Sequence, residues 1–352
     1  MRQAWIRVLG TDAGAGRWDV EGGDQQGLLR CIAEIEGALG RDLRPDAFHP
    51  GMSPDDMLRA IASGQADTPA AYPPADGLPV LFLLPGSIGY GPSLASFAAA
   101  MGRVARVVPV RYPRLQVILA GQNTVADMAA AAARQIEETQ PSGDVRLLGH
   151  SLGGAVAFEV AARLLAAGRP VRFLGILDTS SVGERSARRK TAARVLHQIR
   201  LDRVNASRIA CRALAKGAVA MGCEAGLLRL LDRATKGRFN ATSHRIKVEL
   251  QETLRAKAFF AWLADPKPML PITGTLFRCE RDRMPQALGW DRAFAHLAVV
   301  PVAGGHTDLV TGPHLATNQP LIEAALVQTY PRPERQERSP RDHARDVLAP
   351  GA

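Results

Sequence analysis

Six consecutive residues constrain this chain more than any others: Gly149-His150-Ser151-Leu152-Gly153-Gly154, set between the apolar run VRLL and the helical stretch AVAFEVAARLL. A serine with glycines two positions away on each side, at a strand-to-helix junction, describes a turn too sharp to carry bulk on either flank. The turn holds the serine in a strained backbone conformation and lifts its hydroxyl clear of the sheet. A strand that runs straight into a helix in this way belongs to a layered α/β architecture rather than to a bundle or a sandwich.

The apolar pattern on either side agrees. Short runs at 79–84 (PVLFLL), 107–111 (VVPVR), 145–148 (VRLL), 171–177 (VRFLGIL), 272–277 (ITGTLF) and 298–302 (AVVPV) read as buried strands. Helical stretches fall between them: 124–138 opens on a Thr124/Asp127 pair shaped like a capping box, and 153–167 keeps the same period. Such repetition implies a mostly parallel sheet covered on both faces. Residues 181–265 interrupt it with a segment of helical period and read as an inserted lid.

The stretch ADTPAAYPPADG carries three prolines and no periodicity. It divides the chain into a small unit at 1–66, a linker at 67–77 and the α/β domain at 78–330. Residues 331–352, rich in proline and charge, read as a disordered tail. Disorder of the whole chain is excluded by its 46% hydrophobic and 22% charged residues. No apolar run approaches the roughly 18 residues of a membrane span, and the opening MRQAWIRVLG lacks the apolar core of a secretory signal, so a cytoplasmic protein without a membrane partner is expected. Cys31, Cys211, Cys223 and Cys279 form no CxxC pair, which argues against a disulfide framework and a thiolate metal site.

The net charge of +10 is local in origin. Residues 185–257 hold eighteen Lys or Arg against five Asp or Glu, a net +13, whereas residues 1–66 sum to −3. Basicity confined to one insertion argues against a nucleic-acid partner.

A serine hydroxyl at neutral pH is a poor nucleophile and needs a histidine base with an acid to orient it, in the chain order serine, acid, histidine. His306, in AVVPVAGGHTDLV, lies 155 residues after Ser151 at the end of a strand. His150 within the turn, His244 in the lid and His314 at the start of the last helix fit less well. Two aspartates end strands after the serine, Asp178 in VRFLGILD and Asp282 after TLFRCER, and either suits the acid's task. The glycine-rich loop at 85–91, PGSIGYG, stands where the Ser87 N–H, paired with the Leu152 N–H, would face an oxyanion. No metal and no bound cofactor is expected.

With these motifs assembled, 78–330 resembles the thioesterase domains, of the α/β-hydrolase fold, that end nonribosomal peptide synthetases and polyketide synthases. PGSIGYG, GHSLGG, LGILD, TLFRCERD with GWD downstream, and VAGGHTDL carry the resemblance. It implies an acid after the strand that follows the elbow helix, hence Asp178, a lid over the acyl chain, and release of an acyl thioester by hydrolysis or cyclisation. Residues 1–66 resemble the small all-α carrier domain that precedes such a thioesterase, through AWIRVLG, WDVEGGD and LLRCIAEIEGALG. In that family GGD is followed by the serine that receives phosphopantetheine; here Gln25 follows Gly22-Gly23-Asp24. An amide cannot form the phosphodiester, so the resemblance implies a degenerate carrier and an acyl- or peptidyl-carrier protein or synthetase module acting in trans. An editing thioesterase, a general ester hydrolase and a non-catalytic carrier-binding adaptor are the alternatives.

Overall fold

In the computed structural model, VLFLL forms strand β1 (Val80–Leu84), and its unbroken apolar character follows from burial on both faces. Leu81 and Leu83 point into one core, Phe82 and Leu84 into the other, as the two-residue pleat dictates. The structure describes residues 16–18, 20, scattered positions between 28 and 49, 51–66, 77–89, 92–182, 203–235, 240–280 and 284–330. Gln25, Asp282, the linker positions 67–76, the lid stretches 183–202 and 236–239, and the tail 331–352 lie outside the described residues.

Five further strands, β2 (Arg106–Pro109), β3 (Val145–His150), β4 (Val171–Leu177), β5 (Leu270–Cys279) and β6 (Phe294–Val302), complete a parallel sheet of order β2-β1-β3-β4-β5-β6. The chain passes from β1 outward to β2 and returns to β3 on the opposite side of β1. Open parallel sheets form their crevice beyond the carboxyl ends of the strands, at such a reversal.

Along the chain the helices are α1 (Pro54–Ala62), α2 (Pro92–Met101), α3 (Leu115–Leu119), α4 (Val125–Thr139) and α5 (Leu152–Ala166), followed by α6 (Arg203–Met221), α7 (Glu224–Thr235), α8 (Ala241–Trp262) and α9 (Gly312–Val327). Helices α4 and α5 cover one face of the sheet through Met128, Ala132, Ile136, Val156, Phe158 and Val160. Helices α2 and α9 cover the other through Phe97, Met101, Ile322 and Leu326. The Thr124/Asp127 capping box closes in both directions: the Asp127 N–H donates to Thr124 Oγ1 at 3.0 Å and the Thr124 N–H to Asp127 Oδ2 at 3.0 Å. A second capping box, Ser53 with Asp56, opens α1 with Pro54 in its first turn. Around α1, Trp18, Leu28, Ile32, Leu43, Phe48, Met57 and Ile61 form an apolar cluster of their own.

The insertion between β4 and β5 contains α6, α7 and α8. Ala215, Ala218 and Val219 of α6 meet Leu250 and Leu254 of α8 above Leu115 and Ile118 of α3. The carboxyl end of α8 enters the main core through Ala258 and Trp262, and the Trp262 Nε1–H donates to Glu159 Oε1 of α5 at 2.8 Å. Helix α7 buries none of its residues.

Candidate active site

The three glycines of the elbow are there for room. A Cβ on Gly149 would lie 2.2 Å from the Gly153 carbonyl oxygen, one on Gly153 2.0 Å from that of Leu84, and one on Gly154 2.3 Å from Thr179 Oγ1. Ser151 occupies the turn itself, at φ 56° and ψ −124°, between the last residue of β3 and the first of α5. Its backbone is pinned on both sides: the Ser151 N–H donates to the Leu177 carbonyl at 3.3 Å, and Thr179 Oγ1 donates to the Ser151 carbonyl at 2.6 Å.

Asp178 follows β4, also with positive φ at 51°. Its N–H donates to the Phe277 carbonyl at 2.8 Å, and its carboxylate Oδ1 accepts from the Cys279 N–H at 3.1 Å. His306 follows β6. Its Nδ1 lies 2.9 Å from Asp178 Oδ2 and 3.1 Å from the Asp178 carbonyl oxygen, and its Nε2 lies 2.9 Å from Ser151 Oγ. Asp178 is fully buried while His306 is 36% exposed, so the carboxylate is shielded from water on the side where it meets the ring and the ring remains open to an incoming molecule.

The loop that carries His306 is fastened by two residues that sequence reasoning left without a part. Asn318, fully buried in α9, accepts from the Ala303 N–H and donates to the carbonyls of Ala303 and Leu309, each at 2.8 Å. His150 lies beneath the loop with its ring stacked on that of His306, centroids 5.4 Å apart, and its Nε2–H donates to the His306 carbonyl oxygen at 3.0 Å. Burial pushes the His150 imidazole down to about 4, so it is neutral at pH 7 and cannot compete as a charged group with its neighbour. In the sequence Asn318 stands between Thr317 and Gln319, and nothing there sets it apart.

The loop after β1 passes close to the serine: a Cβ added at Gly86 would meet Ser151 Cβ at 3.4 Å. Gly86 to Gly89 form a turn closed by the Gly89 N–H donating to the Gly86 carbonyl at 3.0 Å. Ser87 stands inside that turn. Leu152 opens α5, where the first-turn N–H groups have no partner within the helix. Of the expected site residues, Ser151, Asp178, His306, Ser87 and Leu152 thus converge on the carboxyl ends of β1, β3, β4 and β6. His314 lies apart from the serine, with its Nε2 3.6 Å from Asp308 Oδ2. No cluster of three His, Cys, Asp or Glu side chains among the described residues could hold a metal ion, and no helix among them is long and apolar enough to cross a membrane.

A parallel sheet of this order with a serine on the turn after β3 defines a serine hydrolase of the α/β-hydrolase fold. Within that class, residues 79–216 match the family described as thioesterase domain. The chain is 29% identical over 206 residues to enterobactin synthase component F of Escherichia coli (strain K12), a match covering 52% of this chain and 16% of that protein. It is 33% identical over 107 residues to N-(5-amino-5-carboxypentanoyl)-L-cysteinyl-D-valine synthase of Penicillium rubens, covering 30% of this chain and 3% of the relative. The chain therefore spans a small part of the length of these relatives. A solved four-domain nonribosomal peptide synthetase, holo-AB3403 bound to AMP and glycine, shares the fold with a TM-score of 0.53 at 16% identity, over 94% of this chain and 26% of that one.

Proposed function

We propose that this thioesterase releases an acyl or peptidyl chain from the phosphopantetheine thiol of a carrier protein, through an ester on Ser151. The observation that carries the reading is the unbroken run of hydrogen-bond distances from Asp178 through His306 to Ser151 Oγ. Ser151 Oγ attacks the thioester carbonyl while His306 Nε2 takes its proton, and Asp178 holds the Nδ1–H tautomer and stabilises the imidazolium that forms. The negative charge on the carbonyl oxygen is met by the N–H groups of Ser87 and Leu152. The C–S bond then breaks, His306 returns the proton to the departing thiol, and the acyl group remains on Ser151. Water, or an amine or hydroxyl of the chain itself, adds to that ester with His306 again as base, and Ser151 Oγ leaves with the proton. Since Gln25 stands where the resembled carrier family has its acceptor serine, the substrate arrives on a carrier acting in trans.

Intact-mass analysis of the enzyme mixed with acyl-carrier protein or acyl-pantetheine tests this reading. A mass gain of one acyl group is expected in the wild type and none in Ser151→Ala, whose turnover should fall by about 10⁴- to 10⁶-fold with the fold retained. Wild-type turnover by Ser151→Ala would overturn the proposal.

A further inference from the structure

Resting on the reading of Ser151 as acyl acceptor, we infer that Arg255 of lid helix α8 is a positioning residue that holds the oxyanion loop, residues 85–89, in its working geometry. Arg255 is 5% exposed, and its hydrogen-bond acceptors are neutral oxygens. Nη1 donates to the Ser87 carbonyl at 3.0 Å and Nη2 to the Pro113 carbonyl at 3.1 Å. Gln251, with its amide turned to present Oε1, accepts from Nη1 at 3.3 Å and Nη2 at 2.5 Å. The guanidinium carbon lies 5.5 Å from the centroid of the Tyr112 ring, and the Tyr112 hydroxyl donates to the Pro85 carbonyl at 2.8 Å.

Three successive carbonyls of the loop are therefore held: Pro85 by Tyr112, Gly86 by the Gly89 N–H, and Ser87 by Arg255. A peptide unit is planar and trans, so the Ser87 N–H points opposite the Gly86 carbonyl, and a turn fastened at both shoulders leaves that N–H a single direction. The rigid fork of a guanidinium can join Ser87 to Pro113, whereas a lysine ammonium would act as a point donor. Burial pushes the Arg255 guanidinium down to about 10, and it remains charged at neutral pH. A buried cation with no carboxylate partner among the described residues brings no stability that an apolar side chain of the same volume could not. What it does bring is a tie between the lid and the loop. Because Arg255 is part of α8, docking of that helix and alignment of the oxyanion donor become one event.

The test uses the whole chain with a small uncharged acyl-pantetheine thioester, following steady-state turnover, single-turnover acylation of Ser151 by intact mass, and the pH profile. Loss of one oxyanion-hole donor outright lowers kcat by about 10²- to 10³-fold; a donor merely misaimed in Arg255→Gln should lower kcat and the acylation rate by about 10- to 100-fold with KM changed less than about twofold. The shape of the pH profile should stay as in the wild type, and Arg255→Lys should recover part of the rate. An unchanged kcat in folded Arg255→Gln, or a loss confined to KM, overturns the inference, while acyl-Ser151 formation by the wild type leaves the acyl-transfer reading standing. Absence of acyl-Ser151 in the wild type overturns both. If Arg255→Gln does not fold, Tyr112→Phe keeps the ring and removes only the bond to Pro85; a kcat loss at constant KM then supports the inference, and an unchanged kcat overturns it.

Discussion

The carboxylate of Asp178 is the residue on which the site's electrostatics turn, because it is fully buried and accepts from a backbone N–H on the oxygen that does not face His306. Asp178→Asn keeps the shape but presents an amide to the ring, so the tautomer with Nε2 free to accept the serine proton is no longer favoured. A kcat loss of about 10³- to 10⁴-fold is expected, with Ser151 still present and the fold unchanged; stopped-flow acylation and circular dichroism check the two halves of that statement. Ser151 and His306 were readable from sequence because a nucleophile elbow demands both a glycine pattern and a downstream base. The residues alone left Asp178 and Asp282 open, since both end strands, and only the family resemblance chose between them. Asn318 and Arg255 were not readable at all. Most of their hydrogen-bond partners are backbone groups, which leave no side-chain pattern to find.

At the scale of elements, the buried strands were visible as apolar runs but their ends were not. Strand β6 begins at Phe294, four residues before the run AVVPV, because among the described residues it is an edge strand paired with β5 alone and tolerates exposed positions such as Ala295 and His296. Helix α3 is too short to show a period. The lid read as helical and is so over its described parts, with some of its charge already neutralised locally: Lys247 Nζ lies 2.7 Å from Asp232 Oδ1, and Arg212 lies 3.8 Å from Glu249 and 3.7 Å from Glu252. The segment 185–257 nevertheless holds eighteen Lys or Arg against five Asp or Glu. Helix α8 of this segment reaches the loop after β1 through Arg255, whose Nη1 donates to the Ser87 carbonyl. Kcat/KM for a substrate on an acidic carrier should therefore fall steeply as salt rises through about 0.1 M, where the screening length is about 10 Å, and that for a small uncharged thioester should not. Equal salt dependence for the two would reduce the basic segment to ordinary solvated surface.

For the molecule as a whole, His150 links the site to acid stability. Its folded value near 4 lies below the ordinary 6.5, so the unfolded chain binds a proton that the folded chain refuses. Stability is then full above pH 6.5 and declines as pH falls from about 6.5 towards about 4, by up to about 3 kcal/mol at 1.36 kcal/mol per pH unit. Urea unfolding at pH 7 and pH 5 should show this slope, and His150→Gln should flatten it even if its stability at pH 7 is lower.

The wide spacing of the reacting residues along the chain has a consequence for how the protein is born. Ser151, Asp178 and His306 ride on the ends of β3, β4 and β6, and the lid is made between the second and the third. A ribosome delivers the serine 155 residues before the histidine, which at about 5–20 residues per second is an interval of roughly ten to thirty seconds. Throughout that interval the emerging polypeptide holds an alcohol without a base. On the proposed reading, a nascent chain would be without acyl-transfer activity until β6 has joined the sheet, its silence set by the order of translation.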